Sequence, residues 1–354
     1  MEGSARAGDA GRGTHFGFDG GTMLHMTNGE CAAEGIRALG LPGKVLAWND
    51  VLHDGPVPAG ISGGELAAVR ASYIAGRGWA DRASVLDSFT RRDATLASSH
   101  AEDEVVLWFE HDLYDQLQLI QVLDRLADWP SDGARLSLVQ ADDYLGPAPG
   151  EVLAALFRGR RAASAEQLRL AREVWEAFRA PAPNALQALA DADTSALRHL
   201  GAALRRHLQQ FPSVRGGLSR SERQALEAVA PGGVAVRAAF VRSQAREEAQ
   251  FLGDASFFGY LEGLSAAPHP LVTFVGGETV TAPRSDEPHV DFLARSLVLT
   301  DVGRAVLDGR EDNVRLNGID RWLGGVHLDG GEARWRWDED AGCIVVADTT
   351  GVLL

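Results

Sequence analysis

The residues best equipped for chemistry stand at three points where an apolar run gives way to polar side chains. Val105-Val106-Leu107-Trp108-Phe109 ends in Glu110-His111-Asp112, with Asp115 and Gln116 one turn further on. Met23-Leu24-His25-Met26 leads into Thr27-Asn28-Gly29-Glu30, and Val45-Leu46-Ala47-Trp48 into a loop carrying Asp50, His53 and Asp54. Imidazoles beside carboxylates suit two chemistries. One is general acid/base transfer, because histidine titrates near neutrality. The other is ligation of a divalent metal by imidazole nitrogen and carboxylate oxygen. His111 and Asp115 are four residues apart, a spacing that places both on one helix face, where a carboxylate can orient an imidazole or both can ligate.

On these grounds the expected catalytic residues are His111, Glu110, Asp112, His53 and Asp50. The expected substrate-binding residues are His25, Thr27, Asn28, Gly29, Glu30, Asp115 and Gln116. His25, His53 and His111 are the candidate metal ligands, and a divalent metal is the one cofactor the residue types suggest. Each group also has a plainer reading. Asp112 fits a helix N-cap and Asp115 the first turn of a helix, where a carboxylate complements the dipole. His25 beside an Asn-Gly turn also reads as a hydrogen-bonded core histidine. Asp50 to Asp54 also read as a turn stiffened by Gly55-Pro56-Val57-Pro58, since proline fixes φ. Glu30 argues against a phosphate at its own helix start, and Asp142 and Asp143 read as a solvated acidic loop.

These tips require elements behind them. Strands are expected at 23–28, 44–48, 104–110 and 135–139. They alternate with helices at Cys31 to Leu39, Gly64 to Ala75, Asp81 to Leu96 and Asp112 to about Trp129, the last broken by Pro130-Ser131-Asp132-Gly133. Alternation of this kind predicts a parallel sheet with helices on both faces, a Rossmann-like α/β domain over 23–150. Ligands of such sheets bind outside the carboxyl ends of the strands, where all three polar tips fall. Residues 1–22, rich in Gly, Ala, Arg and Asp, read as a disordered extension.

From 151 to 215 the pattern is helical and reads as a connector. It includes His199 and His207 with Arg205-Arg206 between them, a solvated face or a contact for nucleic acid or an acidic partner. Ser219-Arg220-Ser221-Glu222 is a capping box that starts a helix. Two more helical stretches follow, then strand-like Leu271 to Phe274 and Ser296 to Leu299, and a helix from Thr300. That order predicts a winged-helix-like α+β C-terminal part over 216–354. Trp322, Trp335 and Trp337 read as core or strand-pairing residues, in a tail of short antiparallel strands.

Composition narrows the chemistry. The 354 residues exceed what a single core usually supports. Lys44 is the only lysine, which leaves almost no candidate for a phosphate-loop or Schiff-base lysine. Residues 1–150 hold 11 basic and 22 acidic side chains, 151–250 hold 15 and 10, and 251–354 hold 8 and 17. A basic middle between acidic ends disfavours bulk nucleic-acid binding. Cys31 and Cys343 form neither a disulfide framework nor a metal knuckle and read as buried thiols. Without an apolar run of membrane-spanning length or a signal peptide, a cytoplasmic protein without a membrane partner is expected.

Taken together the motifs resemble an uncharacterised bacterial family, the domain of unknown function 1835. Its pattern of His-x-Thr-Asn-Gly-Asp, Trp-x-Asp-x-Leu-His-x-Gly-Pro-Val-Pro and Leu-Trp-Phe-Glu-His-Asp-Leu-Tyr-Asp-Gln-Leu is matched by His25 to Glu30, Trp48 to Pro58 and Leu107 to Leu117. Glu30 replaces the family's Asp and lengthens that carboxylate arm. The resemblance continues through Leu218 to Gln224 and Asp320 to Gly325, and brings no established activity with it. The expected function is enzymatic: hydrolytic or transfer chemistry on a small polar or nucleotide-like substrate. The alternative is a ligand-sensing regulatory or adaptor protein that contacts nucleic acid or a protein through its Arg-rich middle and winged helix.

Overall fold

The computed structural model describes residues 21–127, 135–284 and 289–347. The expected N-terminal extension, apart from Gly21 and Thr22, and the helix stop at Pro130 to Gly133 lie outside the described residues.

The first half runs β1 (Met23–Thr27), α1 (Glu30–Ala38), β2 (Lys44–Ala47), β3 (Gly55–Pro56), α2 (Gly63–Gly76), α3 (Arg82–Ser98), β4 (Glu104–Phe109), α4 (Leu113–Arg125), β5 (Arg135–Gln140), α5 (Gly150–Arg158), β6 (Arg161–Ala162), α6 (Ala165–Arg179), α7 (Asn184–Asp191) and α8 (Leu200–Leu208). Its main sheet has the order β2-β1-β4-β5-β6, with four parallel strands and an antiparallel edge at β6. The sheet therefore continues past residue 150 into the stretch expected to be a helical connector.

The period-2 alternation of the strands sorts their side chains onto two cores. Leu24, Met26, Val105, Leu107 and Phe109 pack with Leu117, Ile120, Leu170 and Val174 of α4 and α6. Met23, Val106 and Trp108 face the other way, onto Ile36, Leu153 and Phe157 of α1 and α5. Both faces are covered, as continuous apolar strands demand. The strand order reverses between β1 and β4, so the crevice at their carboxyl ends is the topological switch point of this Rossmann-like sheet. At the opposite end of β4, burial alone would raise the Glu104 carboxyl. Hydrogen bonds from Arg160, Arg135 and Ser137 outweigh it and bring its pKa down to about 2.

The second half continues with α9 (Arg220–Val229), β7 (Val234–Ala235), α10 (Val236–Gln244), α11 (Asp254–Ala266), β8 (Val272–Phe274), α12 (Val290–Ala294), β9 (Ser296–Leu299), α13 (Asp301–Leu307), α14 (Asn313–Asn317), β10 (Ile319–Gly324), β11 (Val326–Gly330), β12 (Trp335–Asp338) and β13 (Cys343–Val346). The capping box at Ser219 forms as its sequence requires, with both reciprocal bonds to Glu222 present. β7, β9 and β8 make an antiparallel sheet in that order. Trp335 and Trp337 are buried on β12, and Trp322 stacks on His327 at 4.4 Å.

The two halves share one core, which runs from the main sheet to Leu271, Leu297 and Leu328. They are also stitched by backbone: β10 pairs in parallel with β3, and the Val57 N–H donates to the Gly324 carbonyl. Gly324-Gly325 is required by this approach. A Cβ on Gly325 would lie 1.8 Å from the Arg179 carbonyl oxygen, and Gly324 has φ +60.

Candidate active site

The junction of β4 and α4 is a closed network of carboxylates and amides. Asp112 caps α4, its Oδ1 accepting from the Asp115 N–H at 3.0 Å. Asp115 Oδ1 accepts from the Glu110 N–H at 2.7 Å, and its Oδ2 accepts from Asn28 Nδ2 at 2.6 Å. The first bond ties the helix back to the strand, and the second ties β4 to the tip of β1. Gln116 Nε2 donates to the Glu110 carbonyl at 2.5 Å, and Glu110 Oε1 accepts from the Leu145 N–H at 2.7 Å. Thr27 Oγ1 donates to Asn28 Oδ1 at 3.3 Å and so orients that amide. Asp112 is thus a helix cap and also a member of a cluster. Ligand atoms of Glu110, Asp112 and Asp115 lie within 4.8 Å of one another, and all three residues are buried.

Three carboxyls so close and so dry cannot all be ionised without a compensating charge. Burial pushes the Glu110 carboxyl upward, and the neighbouring Asp143 charge adds to it. Asp112 is pushed up to about 7, by burial first and by the Glu110 charge second. Asp115 lies well above the usual carboxylate range, through burial and then the charges of Asp112 and Glu110. The groups acting on the three are one another, Asp143, backbone N–H groups and Asn28, with no cation among those named. The cluster therefore gives up its protons less readily than free carboxyls do.

Of the three, Glu110 reaches the wall of a cavity of about 580 Å³. Asn28, Gly29, Glu30, Tyr114 and Tyr144 line the sheet side, and Phe240, Gln244, Gln250 and Phe251 the opposite side. Tyr144 closes the gap between the two walls, since its Oη accepts from the Gln250 N–H at 2.6 Å and lies 3.1 Å from the Gln250 carbonyl. Gly29 caps α1 without a side-chain hydrogen bond, and the helix start from Gly29 to Ala32 lines the cavity. A larger cavity of about 800 Å³ lies away from this edge, against α2, α11 and β10, with Asp54, Tyr73 and Trp322 in its wall.

The structure separates the other expected site residues. His25 points into the core under the sheet, where Nε2 meets the Pro42 carbonyl at 3.1 Å and Nδ1 accepts from Trp108 Nε1 at 3.2 Å. With both nitrogens engaged it has no lone pair for a metal or substrate, and burial lowers its pKa. Asp50 accepts from Arg70 Nε at 3.0 Å in an ion pair whose side chains are both 1% exposed. Arg70 also donates to the Val51 and Asp54 carbonyls, so the pair fixes the loop and leaves Asp50 no catalytic access. His53 is buried between Tyr114 and Phe251, with neither nitrogen hydrogen-bonded among the described residues. Glu30 turns outward to Arg37 at 2.9 Å. His111 stays near the site, its ring 5.1 Å from Tyr144 and 6.0 Å from His199, but it is not in the cavity wall. His25, His53 and His111 thus do not share a centre; among the described residues the carboxylates are the metal-competent group.

Two further expectations are corrected. Arg206 is no solvated cation: it is buried, pairs with Glu247 at 2.6 Å and donates to Ser221 Oγ at 2.8 Å. Cys31 is exposed, at the cavity rim on α1, and Cys343 is half-buried. Sequence reasoning missed Tyr144, Phe240, Gln250 and Phe251. They come from distant segments with no local pattern that announces a ligand wall. No family model matches the chain, and no curated protein matches it.

Proposed function

We propose that the protein is an enzyme that performs hydrolytic or group-transfer chemistry on a small polar organic substrate, with Glu110 as general acid/base. One observation carries this reading: a buried carboxyl, with ligand atoms of two others within 4.8 Å, opens onto a cavity at the switch point of the sheet. Asp115 holds the Glu110 backbone in place, and the Leu145 N–H fixes one carboxyl oxygen. Protonated Glu110 delivers its proton to a leaving group, and the resulting carboxylate takes one from the attacking water or acceptor. N–H groups of the α1 start stabilise negative charge developing on the substrate.

The closeness of the three carboxylates supports a second form of the reading. Glu110, Asp112 and Asp115 would hold a divalent cation in place of shared protons, and that cation would supply Lewis-acid chemistry or an activated water. The sequence resemblance to the domain of unknown function 1835 belongs to this proposal, as does a cytoplasmic setting, which the two free cysteines fit.

We read α9, β7, α10, α11, β8 and β9 as a winged-helix unit, because the strand order β7-β9-β8 with three preceding helices is that of such a domain. α11, the third helix, carries no Arg or Lys and bears Asp254 and Glu262, so it offers phosphates no cation. With Arg206 buried in an ion pair as well, the nucleic-acid reading has little to stand on. The unit acts instead as the second wall of the cavity, through Phe240 and Phe251.

The test is Glu110→Gln assayed against wild type on a panel of chromogenic ester, amide and glycoside substrates, with metal analysis of the purified protein. A loss of about 10²- to 10⁴-fold is expected. Turnover unchanged in the variant would refute the role of Glu110.

A further inference from the structure

Resting on the enzymatic reading above, we infer that the molecule this cavity takes is an organic ammonium ion, seated among Tyr114, Tyr144, Phe240 and Phe251 with Glu110 as its counter-charge. Among the described residues the wall contains two carboxylates, Glu30 and Glu110, and no Arg, Lys or His. Glu30 is already paired with Arg37, which leaves Glu110 to answer a ligand's charge. An anionic ligand would find only the partial charge of the α1 start. It would also face Asp112 and Asp115 directly behind Glu110. An ammonium ion beside Glu110 favours its ionised form and supplies the compensating charge that three crowded carboxyls need.

The aromatic walls supply the second argument. Aromatic faces attract cations through their quadrupoles, and several rings around one site make an ammonium cage. Each of the four rings is held by a further ring outside the cavity: Tyr114 and Phe251 by His53 at 6.0 and 5.0 Å, Tyr144 by His111 at 5.1 Å, and Phe240 by Phe257 at 5.3 Å. Tyr144 is pinned a second time by Gln250. Rings fixed in this way lose little freedom when a ligand enters. The N–H groups of the α1 start suit a hydroxyl or carbonyl on the same molecule, so the ligand class is an ammonium compound with an oxygen function, such as an amino alcohol or its ester.

The probes are the choline cation, its neutral isostere 3,3-dimethylbutan-1-ol, and inorganic phosphate, each titrated into the full chain by calorimetry with melting curves alongside. The choline cation should bind about tenfold or more tighter than the neutral isostere, because charge is all that distinguishes them. Phe251→Leu and Tyr144→Leu should each erase most of that preference, Tyr144→Phe should keep it, and Trp322→Leu, outside this cavity, should leave it unchanged. Melting of the unliganded variants reports whether they fold. Equal binding of the isostere, tighter binding of phosphate, or no binding of choline overturns the inference. The role of Glu110 stands or falls separately, on turnover by Glu110→Gln.

Discussion

His53→Leu isolates one buried proton equilibrium. In the fold His53 is 2% exposed, lacks a hydrogen-bond partner at either nitrogen among the described residues, and packs edge-on against Phe251. Burial, followed by the charges of Arg70 and Arg206, lowers its pKa to about 3, against 6.5 for the free side chain. The folded value is the depressed one, so the unfolded chain binds this proton first. Stability from His53 is complete above about pH 6.5 and is lost as pH falls toward 3. At pH 5 the loss is about 1.5 pH units at 1.36 kcal/mol each, roughly 2 kcal/mol. That magnitude depends only on the folded value lying well below 5. Leucine is apolar and of similar bulk, and it removes two unpaired nitrogens, so at pH 7.5 its effect should be within about 1 kcal/mol of neutral. The carboxyl cluster titrates in both proteins and cancels in the difference, whereas His207, held down by burial first and the His53 charge second, loses that second cause in the variant. Urea unfolding at pH 7.5 and 5.0 should therefore show the variant gaining about 2 kcal/mol on wild type between the two. A difference that does not change with pH would mean that His53 keeps its proton in the fold, and the reasoning from its burial would be refuted.

Asp112→Asn should move stability the opposite way with pH. The folded pKa of Asp112 is raised to about 7, so its contribution is present below the unfolded value of 3.8 and is lost as pH rises through 7. The variant should gain on wild type by roughly 1.4 kcal/mol per pH unit across that window, read from the same urea titrations at pH 5, 6 and 7, while Asn still serves as the cap. Arg70→Met leaves Asp50 buried and unpaired, and should cost about 3–5 kcal/mol in unfolding free energy. A loss under about 1 kcal/mol would return Asp50 to the list of residues free for chemistry.

The parallel strands and their helices were legible because continuous apolar runs and Gly/Pro stops are local signals. Asp112 and Asp115 were legible as cap and first turn, and Glu110 as a residue that a strand end does not need. His25 was misplaced although a signal existed: period-2 alternation puts it on the side of Met23 and Thr27, and the Trp108 that receives it stands on β4. Asp50 and His53 were misjudged because what decides their role is long-range. The Arg70 guanidinium comes from a helix, and Phe251 from almost two hundred residues away. Half of the cavity wall shares that origin. Local patterning could locate the crevice but not its far side.

The pairing of β3 with β10 sets an order on biosynthesis. Residues 50–58 emerge from the ribosome early, yet their partner strand and the Gly324-Gly325 turn come about 270 residues later, and Phe240 and Phe251 only shortly before. At about 5–20 residues per second the loop stays open for tens of seconds. During that interval the carboxylate cluster can form on a nascent sheet whose crevice has no far wall. Catalytic competence thus arrives late in the chain, with Phe240 and Phe251, and a product truncated before residue 319 would carry every side chain of the site while its 50–58 loop lacked the β10 strand.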